Sequence, residues 1–400
     1  MSKPLQDAYI VAATRLPVGK RNGLFAQTRP DDLLAHALSA LVAQAPVLDP
    51  ALIEDVIVGC AMPEAEQGMN VARMSLLLAG LPNNVPGITI NRFCASGLQA
   101  IAMAADRIRL GEADVMVAAG VETMSRFASM TGNSSAINPA IFENREQYAL
   151  AFGMGLTAEK VAHQWKISRE DQDAFALLSH QKALAAINTE QFKSEISPYT
   201  IKTRVPDLTS GEIKLESRLA AQDEGPRADT SLEKLQQLKP AFLHQGSVTA
   251  GNSAQMSDGA AALLLVSENV LKRHKLQALA RFVGYTVVGV APELMGIGPI
   301  KAISLLCQKT GIGQESIDWF EINEAFAAQT LAITRTLDID PDKVNPLGGA
   351  IALGHPLGAS GAIRATTLIH GLQRRQKRYG VVALCVGSGM GVAALFEMLH

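Results

Sequence analysis

Residues 53–61 read IEDVIVGCA, and residues 317–325 read IDWFEINEA. Each begins on acid, runs through a short apolar strand and stops at a polar or Gly turn. The paths onward from them also match. The first reaches Ala95-Ser96-Gly97 and the second reaches Ala359-Ser360-Gly361, with 42 residues from Asp55 to Gly97 and 43 from Asp318 to Gly361. After the first triplet comes the helical pattern LQAIAMAADRIRLG and then DVMVAAG. After the second come AIRATTLIHGLQRRQKRYG and GVVALCVG. Each half also carries an earlier helical segment, DLLAHALSALVAQA and GPIKAISLLCQKTG. Long-period repeats fix architecture. Helices of about ten residues or more alternating with continuous apolar strands predict βαβ units with buried parallel strands. The expectation is an α/β protein written twice.

Between the halves, residues 121–249 are more polar and irregular, and TSGE at 209–212 reads as a hairpin turn. An insertion of this kind fits either a substrate-contacting loop domain or a surface elaboration. The boundaries drawn from the pattern are 1–120 with 250–272 for the N-terminal half, 121–249 for the loop domain and 273–400 for the C-terminal half.

Composition narrows the function classes. The chain has 400 residues, with Lys+Arg 36 against Asp+Glu 38 and a formal charge of −2, which gives no electrostatic reason to expect nucleic acid or an anionic membrane. Hydrophobic residues at 48% and charged residues at 18% exclude disorder, and 33 glycines with only 5% aromatics call for a core of Ala, Val, Leu and Ile in close contact. No apolar run approaches the roughly 20 residues of a membrane helix, and the first residues lack the pattern of a signal peptide. Cys60, Cys94, Cys307 and Cys385 are widely separated, which is neither a disulfide framework nor a zinc site. A reducing, cytoplasmic compartment is expected.

Cys94, in VPGITINRFCASGLQA, stands between a strand and a helix start, where the macrodipole is expected to lower its pKa and favour thiolate. A buried structural thiol fits the same position. His355, in GGAIALGHPLGASG, holds the matching place in the second half, and a Cys and a His brought together this way make a nucleophile–base pair. Cys385, in VVALCVGSGMG, ends a strand at the edge where α/β sheets place ligands, and the following glycines let backbone N–H groups reach an oxyanion; a packed thiol is the alternative. Asn323 and Glu324 end another strand, where Asn suits either a water or a helix cap. His163 and His180 read as packed or solvated, Cys60 and Cys307 as core, and Arg374, Arg375, Lys377 and Arg378 as a solvated helix end. Neither GSGMG nor MGIGP has the spacing of a phosphate loop.

Taken together, NRFCASGLQA, NEAFA, NPLGGAIALGHPLGASGA and CVGSGMG resemble the signature blocks of the thiolases, and TAGNSAQMSDGAA and MGIGP match further family segments across essentially the whole chain. KPAF, SAQMSDG and VNPLGG resemble the degradative 3-ketoacyl-CoA branch. The resemblance implies the thiolase fold: duplicated βαβ halves in a five-layered αβαβα arrangement with an inserted loop domain, assembled as dimers or tetramers. It implies thiolytic cleavage of 3-oxoacyl-CoA by CoA, giving acetyl-CoA and a shortened acyl-CoA. Coenzyme A is then a substrate, no metal or permanently bound cofactor is needed, and a β-oxidation complex is a conceivable partner. By the resemblance Cys94 is the acylated nucleophile, His355 its base and Cys385 the acid/base at the acetyl-CoA α-carbon. Asn323 holds an oxyanion-hole water, and the backbone N–H groups of Cys94 and Gly387 form a second oxyanion hole. The chain departs from the pattern at Ala254, where the family often has Ser, so a pantetheine contact is either lost or moved to Ser253. The His-Met-Gly turn of some members reads Gly153-Met154-Gly155 here, so its His is absent while Met154 is kept as a CoA-contact candidate, and Arg227 matches a residue near the adenine of CoA. The rival readings are an acetoacetyl-CoA or dicarboxylic 3-oxoacyl-CoA thiolase and a non-catalytic CoA- or lipid-binding relative.

Overall fold

The computed structural model describes residues 5–126, 138–143, 153–206 and 209–399. Much of the polar stretch after residue 126 lies outside them. The chain begins with β1 (Ala8–Arg15), β2 (Gly19–Lys20), α1 (Pro30–Ala43), β3 (Asp55–Gly59), α2 (Val71–Leu78), β4 (Gly87–Ile90), α3 (Ser96–Arg109) and β5 (Val115–Thr123). Next come the short α4 (Ala140–Glu143), α5 (Met154–Gln164), α6 (Arg169–Asn188), β6 (Tyr199–Pro206), β7 (Ile213–Ala220) and α7 (Leu232–Gln236). Then follow β8 (Ser257–Ser267), α8 (Glu268–Arg273), β9 (Ala280–Gly289), α9 (Gly298–Thr310), β10 (Trp319–Ile322) and α10 (Ala327–Thr336). The last elements are α11 (Ala350–Leu353), α12 (Leu357–Arg375), β11 (Tyr379–Val386) and β12 (Met390–Glu397). β6 and β7 form the hairpin that TSGE predicted, with Gly211 at φ 71°.

The main sheet runs β10-β11-β12-β9-β1-β8-β5-β3-β4, with β2 beside β8. About the β9–β1 junction β12, β11 and β10 mirror β8, β5 and β3, and β4 is an extra edge strand of the first half. The expected parallel pairing holds for β3 with β4 and β5 and for β10 with β11, whereas β1, β8, β9 and β12 pair antiparallel. The tight turn at 387–389 forces this at β11–β12, because strands joined by so short a loop cannot run parallel. Nor are there two separate sheets: Ala8, Tyr9 and Ile10 pair with Phe282, Arg281 and Ala280, so one ladder crosses the junction.

The structure also corrects the register of the repeat. Glu54, not Asp55, is the counterpart of Asp318. The Glu54 carboxylate accepts the N–H groups of Asp114 and Val115, and the Asp318 carboxylate accepts those of Arg378 and Tyr379 at 3.0 and 3.1 Å. Each acid thus starts the neighbouring strand, and one shift of 264 residues carries 54, 97, 114 and 115 onto 318, 361, 378 and 379. Asp55 instead pairs with Arg107.

Alternation along the strands sorts apolar side chains into layers. Val117 and Val121 of β5 face α1 and α2 with Leu34, Leu38 and Leu76. Met116 and Ala118 face the opposite way, toward Leu98 and Ile101 of α3 and Leu368 and Ile369 of α12, and Val382 and Leu384 of β11 meet the same cluster from the second half. Val381 and Ala383 point outward to Ile303, Leu306 and Ile333 of α9 and α10. The result is helix, sheet, helix, sheet, helix: five layers with α3 and α12 in the middle. Every residue of α12 from Gly358 to Leu372 is buried, as a helix packed on all sides requires. The repeated Ala-Ser-Gly now has a cause. A Cβ on Gly97 would lie 2.8 Å from both Ala362 N and Gly358 O, and one on Gly361 would strike Leu98 N, so glycine lets the two central helices meet backbone to backbone. Among the described residues no helix is long and apolar enough to cross a membrane.

Candidate active site

The first turns of α3 and α12 meet the ends of β10 and β11, and the singled-out residues collect there. β4 leads into a turn in which Asn91 Oδ1 accepts Phe93 N at 2.7 Å, and Ser96 Oγ accepts Arg92 N at 2.8 Å while donating to Phe93 O at 2.7 Å. Phe93 is held at φ 44°, a conformation rare outside glycine. This lacing fixes Cys94 within a single 3₁₀ turn just before α3.

His355 is fixed as firmly. Its backbone N–H donates to Gln255 O at 3.0 Å and Ser257 Oγ at 3.1 Å, and Gln255 Nε2 donates to Gly225, Ile351 and Ala352 carbonyls at 3.0, 2.9 and 3.1 Å. The ring bonds through Nδ1 to Ser360 Oγ at 2.6 Å and through Nε2 to Asn323 Nδ2 at 3.4 Å. With the amide donating to Nε2, the neutral ring carries its proton on Nδ1 and a lone pair on Nε2. Asn323 Oδ1 is buried without a hydrogen-bond partner among the described residues. A buried acceptor left open in this way is suited to a water or a substrate donor.

Cys385 ends β11, 1% exposed, in a small cluster with Ala158, Met295 and Phe326, and Met154 packs against it. The Gly387 N–H reaches the Cys94 sulfur, and Cys94 and Cys385 sit close enough for the charge of one to oppose ionisation of the other. Gly387 is flanked on its open side by Met154 and Phe93, whose Sδ and Cδ2 lie 3.7 and 3.9 Å from where a side chain would begin.

The electrostatics reverse one expectation. Burial pushes the Cys94 thiol up to about 11, more than the N–H groups of Gly387 and Cys94 pull it down, and the Glu122 charge adds to the rise. The macrodipole does not win, because desolvating the thiolate costs more than half a charge at a helix start returns. Burial also holds His355 down to about 3, with the Arg364 guanidinium acting in the same direction. Cys385 is raised well above a free thiol, again by burial first. At neutral pH the site therefore holds two thiols and a neutral imidazole. A neutral thiol and a neutral imidazole on neighbouring turns are the groups from which a nucleophile and its base could be made.

The remaining candidates are placed less centrally. Ser253 Oγ donates to Thr249 O at 2.6 Å, which leaves only its lone pairs for a ligand. Arg227 is exposed, and its backbone N–H donates to His180 Nδ1 at 3.2 Å. Glu324 binds Ser179 Oγ at 2.7 Å, Asn345 Nδ2 at 2.8 Å and Ile351 N at 3.2 Å, so it braces the loop leading to His355. Sequence reasoning missed Ser360, Gln255 and Glu122. Ser360 was marked by the repeated triplet, and Glu122 by being an acid within the otherwise apolar run of β5.

Known proteins bear on this arrangement. The family models described as thiolase N-terminal domain and thiolase C-terminal domain match residues 8–269 and 276–398. A protein of Bacillus subtilis (strain 168) named 3-ketoacyl-CoA thiolase is 46% identical over 396 residues, covering 98% of this chain and all of that one. Among solved structures, the Bacillus anthracis acetyl-CoA acetyltransferase superposes with a TM-score of 0.90 at 41% identity, over 100% of both chains. The human mitochondrial 3-ketoacyl-CoA thiolase in complex with CoA superposes with a TM-score of 0.87 at 37% identity, covering 99% of this chain and 98% of that one.

Proposed function

The chain belongs to the thiolase family, and from that premise we propose that it cleaves 3-oxoacyl-CoA with CoA, as an acyltransferase of fatty-acid β-oxidation. The reading is supported by two pairs on neighbouring turns: His355 Nε2 with the Asn323 amide at 3.4 Å, and Cys94 with Cys385 and the Gly387 N–H, the Cys94 turn packing against α12.

In this reading His355 Nε2 takes the Cys94 proton as the sulfur attacks C3 of the substrate. The resulting oxyanion is held by the N–H groups of Cys94 and Gly387, aimed at charge that exists only in the transition state and intermediate. The C2–C3 bond then breaks, leaving the acyl group on Cys94 and an acetyl-CoA enolate beside His355 and Asn323. Cys385 gives that enolate its proton. An incoming CoA thiol returns a proton to Cys385 and attacks the acyl-cysteine, which restores Cys94 through His355. CoA is thus a substrate, with Met154 next to the acylated sulfur, Ser253 along the pantetheine arm and Arg227 toward the adenine. The site residues include enough acids and bases that the route calls for no metal or resident cofactor. The same reading makes the protein a cytoplasmic homodimer or homotetramer and gives residues 121–249 the CoA contacts.

CoA-dependent cleavage of 3-oxoacyl-CoA substrates from four to sixteen carbons tests this, with Cys94→Ser as control. Cleavage that rises with chain length and falls about a thousandfold or more in Cys94→Ser is expected. The likeness to an acetyl-CoA acetyltransferase favours a second reading, which activity confined to acetoacetyl-CoA would establish. Wild-type turnover in Cys94→Ser removes Cys94 from the mechanism.

A further inference from the structure

The shift of 264 residues that aligns the halves carries Cys94 onto Gly358 and Glu122 onto Val386. The reacting cleft at the start of α3 therefore has a counterpart at the start of α12. In the first the matching strand position is the apolar Val386, and Gly387 after it presents an N–H to Cys94. In the second the strand end carries the buried Glu122, whose Oε2 lies 2.8 Å from where a side chain on Gly358, the counterpart of Cys94, would begin.

Its contacts reach both catalytic turns. Oε2 accepts Gly358 N and Ala61 N, each at 2.8 Å, while Oε1 accepts Met62 N at 3.2 Å and the Gln67 amide. Gly358 lies three residues after His355 and two before Ser360, in the turn that holds the imidazole. On the other side, Ala61 O takes Asn91 Nδ2 at 2.9 Å, and Asn91 Oδ1 takes the N–H of Phe93, next to Cys94. One oxygen thus ties the turn of the base to the turn of the nucleophile. Facing Glu122 are also the Cys60 thiol, its sulfur 3.8 Å from Oε1, and Cys94; among the described residues no cation is paired with it. Burial pushes its carboxyl up to about 7 against those donors. An unpaired interior carboxylate is costly, and an apolar side chain could fill the space without that cost.

We infer that Glu122 is a positioning residue for the proposed reaction: through its hydrogen bonds it sets the spacing of Cys94 and His355, and in its ionised form it opposes the thiolate of Cys94. The inference rests on the proposed roles of those two residues. Its test is Glu122→Gln, read by thiolysis kinetics and by the pH profile of Cys94 alkylation with iodoacetamide, followed on the Cys94 peptide by mass spectrometry. A fall in kcat of about tenfold to a hundredfold is expected, the range that small misplacements of reacting groups produce. KM for CoA should stay within about threefold of wild type, since Glu122 touches no substrate. The alkylation profile should move to lower pH, because the charge opposing the thiolate is gone. Glu122→Asp keeps the charge but withdraws it from Gly358, so kcat should fall while the alkylation profile keeps its wild-type position. Wild-type kcat in Glu122→Gln overturns the inference, as does an unmoved alkylation profile in that variant, which is what a purely structural role would give. If Glu122→Gln does not fold, wild-type kcat in Glu122→Asp overturns it and the expected Glu122→Asp pattern supports it. Turnover by Cys94→Ser would instead sink the reaction itself, which separates the two failures.

Discussion

The two halves solve the same structural problem with the same residues and then diverge at the strand ends. Glu54 and Asp318 open the neighbouring strand in the same way. Ser96 and Ser360 stand at the same place in the triplet, yet Ser96 laces the Cys94 turn to itself while Ser360 holds the His355 ring. At the ends of the paired strands the halves part: Glu122 takes the Gly358 N–H in one cleft, whereas its counterpart Val386 is apolar and leaves the Gly387 N–H beside it to Cys94. Scaffold positions kept their chemistry, and positions facing a cleft did not. A pseudo-twofold protein can in this way carry a single reacting centre between two nearly equivalent helix starts.

The comparison breaks first at the helix contact. Gly97→Ala places a methyl against Ala362 N and Gly358 O, atoms of the α12 backbone that cannot swing aside. The expected cost is about 1–3 kcal/mol of stability, seen as a lower midpoint in urea unfolding, together with a loss of kcat from spreading the two turns. An unchanged midpoint would mean that the central helices have slack the packing does not show.

The serines sharpen it. Ser360→Ala frees the imidazole and should lower kcat about tenfold with little loss of stability, as for other hydrogen bonds that only orient a base. Ser96→Ala removes two local hydrogen bonds and should cost about 1 kcal/mol of stability. Kinetics and urea unfolding on both variants would show whether the functions have truly separated; matching effects would restore the symmetry.

The smallest effect is one of slope. With the thiol held up to about 11 and His355 down to about 3, Cys94 is a neutral thiol across the physiological range. Below a raised thiol pKa the thiolate fraction grows about tenfold per pH unit, so alkylation of the free enzyme should climb steadily from pH 7 to 10. Any inflection near neutral pH belongs to Glu122, not to His355, which is already deprotonated there. A plateau at neutral pH would reveal a preformed thiolate–imidazolium pair instead.

Much of this was legible in one dimension. The duplication showed in Ala95-Ser96-Gly97 and Ala359-Ser360-Gly361, because a backbone contact that excludes every side chain leaves glycine as its trace. Cys94, His355, Cys385 and Asn323 were picked out by their places at strand ends and helix starts, which periodicity locates. The register was misjudged by one residue at Asp55, since two adjacent acids look alike until hydrogen bonds show which one faces the next strand.

The sequence by itself determined the repeat, the buried strands and the candidate side chains, all of which follow from patterns along the chain. Only the tertiary structure decided that the strands mix directions, that one ladder joins the halves, that the Cys94 thiol is raised rather than lowered and that Glu122 occupies the second cleft. Each of these depends on what lies across the fold: desolvation sums over neighbours from every layer, and the groups that meet Glu122 lie as far as 236 residues away along the chain. No local pattern carries that sum.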